Sequence, residues 1–183
     1  SFPIRMFFPA FLLFIFIGII ASTGSNTIAI KFNKKRYLLL IVAMGIFSIF
    51  LTWKSLNWVL ARNYNVIAAQ LQIYGENEIS VKKGLESLVL NSRAPEYFYT
   101  TARALHNIGK VDDAILYYKK AIDISPFHTL ALLDLAVAYN DIEDTSMEKK
   151  VLDFILRFDS KNVQASSRLV INLTDAKLLE DAT

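Results

Sequence analysis

The stretch EYFYTTARALHNIGKVDDAILYYKKAIDISP, residues 96–126, decides how this chain folds. It divides around Gly109 into two runs of helical character. Gly109 tolerates the positive φ at which a helix turns back on itself. In the second run Ala114 and Ala121 are small residues where two helices cross closely, and Tyr118 fills the space between them. Asp112 and Asp113 fall in the first turn of that run and Lys119 and Lys120 toward its end, which complements the helix dipole. Pro126 stands where a helix has already ended.

These positions resemble the tetratricopeptide repeat, a family of helix pairs repeating every 34 residues or so. Its aromatic in the first helix is matched by Phe98 and its turn glycine by Gly109. Ala114, Tyr118 and Ala121 match the small–aromatic–small pattern of its second helix, and Pro126 its closing proline. Thr101, Ala102 and Leu105 depart from the usual Leu, Gly and Tyr. Shifting by one repeat gives a weaker copy over 129–162. There Leu132, Leu135, Ala136 and Tyr139 take first-helix positions, and Leu152 and Ile155 take second-helix positions. Glu143 and Glu148 replace the glycine and the first alanine, so this pair is expected to pack less tightly. Shifting backward gives a degenerate pair, 64–72 and 79–91, around Gly75. Residues 163–182 read as a capping helix. The fold class expected is all-α, with a solenoid of about three helix pairs and a cap over 63–183, best defined at 95–128. Three stacked repeats meet the usual need for a stable array.

In that register the first helices line a concave face with Glu96, Tyr99, Arg103, His106 and Asn107, followed by Leu133, Val137, Asn140 and Asp141. The candidate binding residues are Tyr99, Arg103, His106, Asn107 and Asn140, with an extended peptide or a saccharide as ligand. The family's clamp for carboxylate tails needs several basic and Asn residues at set places, and this chain does not reproduce it. No catalytic constellation is expected. The two histidines, His106 and His128, have no acid or nucleophile placed beside them by sequence, and His128 reads as a solvated turn residue. Asp112–Asp113 and Asp141–Glu143–Asp144 read as helix-start and turn acids, not metal ligands. No phosphate loop or zinc motif occurs, and no cofactor is expected.

Residues 1–62 are of another kind. They carry seven basic side chains and no acid, whereas the rest carries all 17 Asp and Glu against 13 Lys and Arg, a net charge of −4. The pI near 9.0 is therefore no sign of nucleic acid, because the basic residues flank apolar runs. Residues 6–30 hold no charge and residues 37–53 hold none either. About 20 apolar residues span a bilayer as a helix, so two transmembrane helices are expected, at about 7–26 and 37–60. Trp53 and Trp58 suit an interfacial belt, and Lys54 is placed to snorkel. Lys31, Lys34, Lys35 and Arg36 make a basic loop over 31–36, the mark of a cytoplasmic face. That orientation puts the repeats on the far side of a bacterial inner membrane, in contact with the periplasm, with membrane lipid as the first partner.

The opening SFPIRMFFPAFLLFIFIGIIAS resembles a segment near the last spanning helices of the O-antigen ligase and polymerase family. The residues that carry it are Ser1, Phe2, Pro3, Ile4 and Arg5, with Pro9 just inside the helix. A basic loop, a final spanning helix and tetratricopeptide repeats follow in many bacterial members, and in the same order here. The resemblance implies the C-terminal part of a membrane protein that transfers lipid-linked glycan. None of that family's functional Arg or His positions falls within these 183 residues, so no catalytic residue carries over and the chain as it stands is expected to be inactive. The alternative is a self-standing, membrane-anchored repeat adaptor that recruits cell-envelope proteins.

Overall fold

The computed structural model describes residues 34–181. The first expected spanning helix, residues 31–33 of the basic loop and the motif at Ser1–Arg5 lie outside those residues. The described residues form helices and turns only: α1 Lys34–Ile73, α2 Asn77–Leu90, α3 Pro95–Asn107, α4 Val111–Ile124, α5 Thr129–Asp141, α6 Thr145–Phe158 and α7 Val163–Asp181. The chain divides into two compact units, Ser1–Leu56 and Asn57–Thr183.

In the first unit, the described part of α1 starts at Lys34, so Lys34, Lys35 and Arg36 are helical and not loop residues. Among the described residues no helix is long and apolar enough to cross a membrane, and this includes α1, which holds the second span expected at about 37–60. What α1 does present is a row of exposed apolar side chains that includes Leu39, Val42, Ile46, Phe47, Ile49, Phe50 and Trp53.

In the second unit, each helix packs on the next in sequence, α2 on α3 through to α6 on α7. Three turns have the same construction, one repeat apart. Gly75, Gly109 and Glu143 adopt φ of +79°, +78° and +60°. At each, a helix ends with two backbone bonds that satisfy its last carbonyls. Gly109 N–H donates to His106 C=O at 2.9 Å and Lys110 N–H to Leu105 C=O at 3.0 Å, and Glu143 and Asp144 repeat this on Asn140 and Tyr139. Gly75 and Glu76 do the same on Gln72 and Leu71. The left-handed region suits glycine and disfavours glutamate, so Glu143 holds that turn under strain.

The second helices bury the same three register positions. They are Ser80, Gly84 and Ser87 in α2, Ala114, Tyr118 and Ala121 in α4, and Glu148, Leu152 and Ile155 in α6. Tyr118, Leu152 and Ile155 are fully buried. Opposite them, Ala68, Ala102 and Ala136 are the small residues of the first helices, each with no exposed surface. In the first pair the two helices meet through polar groups. Ser80 Oγ donates to Ala68 C=O at 2.8 Å and accepts from Gln72 Nε2 at 3.2 Å, and Gln72 Nε2 also donates to Thr100 C=O of α3 at 2.8 Å. Gly84 sits where the other pairs have Tyr118 and Leu152, because Thr101 approaches so closely that a Cβ there would clash with its side chain.

The α5/α6 pair packs less tightly than α3/α4, as expected, yet its core is closed around Glu148. Leu152 and Ile155 leave no surface exposed and Glu148 only 3%. The buried carboxylate is satisfied from the cap: Asn172 Nδ2 donates to Glu148 Oε2 at 2.8 Å and Arg168 Nη1 to Oε1 at 3.4 Å. A buried charge is tolerated when it is paired and hydrogen-bonded. Asn162 caps α7 by accepting from Ala165 N–H at 3.0 Å, and Ala165 is fully buried against Leu132, Leu133 and Leu152.

Candidate functional site

The first helices place the candidate residues on one side of the array. Tyr99 and Arg103 are one turn apart on α3, and the guanidinium of Arg103 lies 5.7 Å from the Tyr99 ring centroid. Arg103 Nε approaches Asp134 Oδ2 on α5 at 3.7 Å. This is a loose ion pair between part-exposed side chains, and such pairs contribute little to stability. Tyr99 is half-buried. Burial, with Asp134 next, pushes its phenol up to about 12, so Tyr99 stays neutral and able to donate a hydrogen bond at any physiological pH.

His128 is corrected from a free turn residue to a working part of this region. Its Nδ1 accepts from Ala131 N–H at 3.2 Å, capping α5, and its ring lies 5.1 Å from that of Tyr99. His106 is corrected likewise. Asp141, one repeat further on, is 2.6 Å from its Nε2, and its ring meets Tyr118 edge-on at 6.3 Å. No serine, threonine or lysine stands in hydrogen-bond contact with that pair among the described residues, so it ties α3 to α5 and does not form a triad. Asn107 Nδ2 donates to Asn77 Oδ1 at 3.1 Å, which ties the turn of one pair to the next. Asn140 is exposed at the end of α5 and makes none of the described side-chain hydrogen bonds.

The structure thus brings Tyr99 and Arg103 together and gives them Asp134 and His128. It spends His106 and Asn107 on holding the repeats in register. The face continues past α5 into a recess of about 400 Å³ between α5 and α7. Leu130, Leu133, Val137 and Val163 supply its apolar wall, and Asp134 and Arg168 its charges. Among the described residues no group of three His, Asp or Glu could hold a metal ion.

No protein-family model matches the chain. A stretch of 56 residues is 45% identical to glutamate–tRNA ligase 2 of Bartonella henselae, but it covers 31% of this chain and only 12% of that enzyme. Solved structures match far more of the chain. The first TPR of Spaghetti (RPAP3), bound to the HSP90 peptide SRMEEVD, superimposes with a TM-score of 0.63 over 66% of this chain and 95% of its own, at 14% identity. The Arabidopsis OM64 TPR domain gives 0.62 over 65% and 98%, at 15% identity.

The chain carries a tetratricopeptide-repeat fold.

The same TPR likeness extends to MamA 41-end from Desulfovibrio magneticus RS-1, with a TM-score of 0.59 over 66% of this chain and 68% of that one, at 21% identity. At such identities the likeness speaks for the fold alone. Within the TPR register, Asp134, His128 and the α7 residues of the recess escaped the sequence reading. A search for charge partners one repeat away, such as Asp141 for His106, would have found part of this.

Proposed function

We propose that this chain is a membrane-anchored TPR scaffold that holds an extended peptide segment of a partner protein on its concave face. The observation that carries this reading is the continuous strip from Tyr99, Arg103 and Asp134 into the recess of Leu133 and Val137. It offers an aromatic ring, hydrogen-bond donors and acceptors, and an apolar hollow in line, the combination that recognises a main chain and one apolar side chain. The RPAP3 domain bound to a peptide supports the same use of the fold. The test is binding of a random heptapeptide library, fluorescein-labelled, to the full chain in lipid nanodiscs. Selected peptides should lose affinity about tenfold with Tyr99→Ala, a typical effect for an aromatic anchor. Equal binding to the Tyr99→Ala and Leu133→Glu chains would overturn the reading.

Anchoring is supported by the charge-free runs 6–30 and 37–53 and by the exposed apolar row on α1. The reading places the chain in a bacterial inner membrane with lipid around the apolar runs and the repeats outside the cytoplasm. The chain has no cysteine, so single cysteines at positions 33 and 161 report sidedness without background. Impermeant maleimide should label position 161 and spare position 33 in spheroplasts, and the reverse pattern would refute the orientation.

The motif at Ser1–Arg5 supports a parent protein like the O-antigen ligases, with these repeats positioning a partner or acceptor near a lipid-linked glycan site. An open reading frame continuing through several more apolar spans upstream of Ser1 is the expected result. A start codon within a few residues of Ser1 would leave the self-standing envelope adaptor instead.

A further inference from the structure

The face built from the second helices carries an aromatic cluster that the groove does not use. Phe127 lies in the turn before α5, and Phe154 and Phe158 lie one turn apart on α6. Phe127 stacks on Phe154 at 6.3 Å between centroids, meets Phe158 edge-on at 5.1 Å, and Phe154 meets Phe158 at 5.6 Å. The three rings satisfy one another, yet Phe127 is 65% exposed and the other two 38% each. Their register sets them apart. One repeat earlier Lys120 and Ile124 stand where Phe154 and Phe158 do, and two repeats earlier Glu86 and Leu90. The α6 helix thus shows aromatic surface where its counterparts in α2 and α4 mix charge with an aliphatic residue.

Beside the cluster, and sharing Phe154, a recess of about 290 Å³ opens between α4 and α6, with Ile122 and Val151 in its apolar wall. Lys119 and Lys150 line it from the two helices, together with one acid, Asp123. Lys119 Nζ lies over the Tyr139 ring at 5.5 Å and Lys150 Nζ lies 3.8 Å from Met147 Sδ. Neither takes part in the described ion pairs.

We propose that this surface is a second docking site, for an amphipathic helix of a partner protein whose apolar ridge is flanked by carboxylates. An exposed cluster of three aromatics next to a concave apolar hollow is the pattern of an interaction surface, not of a solvated face. The hollow receives a ridge of side chains spaced at helical intervals. A bilayer is flat on this scale and would leave the hollow unfilled. The two ammonium groups, which take part in none of the described ion pairs, set the sign of the partner, because complementary charges select partners and steer their approach. The site is independent of the concave face and does not rest on the function proposed for it.

The test uses the full chain in nanodiscs of uncharged phosphatidylcholine and two labelled helical peptides. Both carry the same Leu and Phe ridge, one with Glu and the other with Lys at every flanking position. The Glu peptide should bind about tenfold tighter than the Lys peptide. Phe154→Ser should weaken the Glu peptide about tenfold, by loss of an aromatic anchor. Lys150→Glu should narrow the gap between the two peptides, and Tyr99→Ala should change neither. Thermal melts of each variant confirm that it is folded, and Lys150→Glu, on an exposed side chain, keeps the test open if Phe154→Ser unfolds. Equal binding of both peptides, no binding of either, or loss on Tyr99→Ala would overturn the proposal. So would self-association abolished by Phe154→Ser, which assigns the face to a second copy, or binding to protein-free phosphatidylcholine vesicles through Phe127, which assigns it to lipid.

Discussion

The pairs α3/α4 and α5/α6 answer the same register with different chemistry. In α4 the three inward positions are Ala114, Tyr118 and Ala121, and the core carries no charged side chain. In α6 they are Glu148, Leu152 and Ile155, and the first is a carboxylate. Both pairs close completely. The difference lies outside the pair: Ala114 packs against its own first helix, whereas Glu148 is completed by Asn172 and Arg168 of α7. A repeat can therefore absorb a charged residue at a core position when the next element along the solenoid supplies its partners. The cap is then part of the repeat's core and not only a cover for its end.

The largest effect should come from the apolar pair. Tyr118→Ala empties a fully buried site between two helices, and a loss of about 3–5 kcal/mol is expected for removing a large buried aromatic. Urea unfolding of the full chain reads it. A loss below about 1 kcal/mol would contradict the burial of Tyr118 between α3 and α4.

Next comes the polar pair. Glu148→Ala makes α6 resemble α4 at that position, yet it strips Asn172 and Arg168 of this carboxylate. A loss of about 1–3 kcal/mol follows from removing hydrogen bonds to a buried charged group, with Asn172 keeping its bond to Thr145 C=O and the part-exposed Arg168 turning to solvent. Adding Asn172→Leu should recover part of it, and additive losses would contradict the coupling between α6 and the cap.

The turns offer a smaller and opposite effect. Glu143→Gly should stabilise by about 1 kcal/mol by relieving a left-handed glutamate, and Gly109→Ala should destabilise by a similar amount. Paired melting curves check both, and a drop in stability for Glu143→Gly would show that its side chain contributes more than its backbone costs.

The smallest effect is confined to alkaline pH. The Tyr99 phenol is raised from 10.0 to about 12 in the folded chain. Between those values the unfolded chain loses this proton first, so the stability Tyr99 contributes is intact below pH 10 and falls as the pH climbs toward about 12. Tyr99→Phe should flatten that part of the pH–stability curve, and an unchanged slope would contradict the burial assigned to Tyr99.

Much of this was legible in residues 96–126, because a close helix crossing demands small residues at fixed places and a reversal demands glycine. Gly109, Ala114, Tyr118 and Ala121 stand where the sequence pattern puts them. Glu148 was not legible as a core residue, since its partners lie beyond the repeat in α7, and local patterning prices an acid as surface. His106 was misread for the same reason. Its acid, Asp141, is a neighbour only once two repeats are stacked. Tyr99 and Arg103 were found from register alone, but Asp134 and His128, which complete their surroundings, project from α5 and its preceding turn and follow no repeat position of the family. On α6, Phe154 and Phe158 match the helical period equally well as core or surface, and only the fold shows them uncovered.

The concave face is the centre of the functional account, and hydrogen–deuterium exchange on the full chain in nanodiscs tests it most directly. With a library-selected peptide bound, protection should rise in α3 and α5 around Tyr99, Arg103 and Asp134 and in the first turns of α7, and stay unchanged in α2 and α4. Protection confined to the second helices, or none at a saturating peptide concentration, would contradict it.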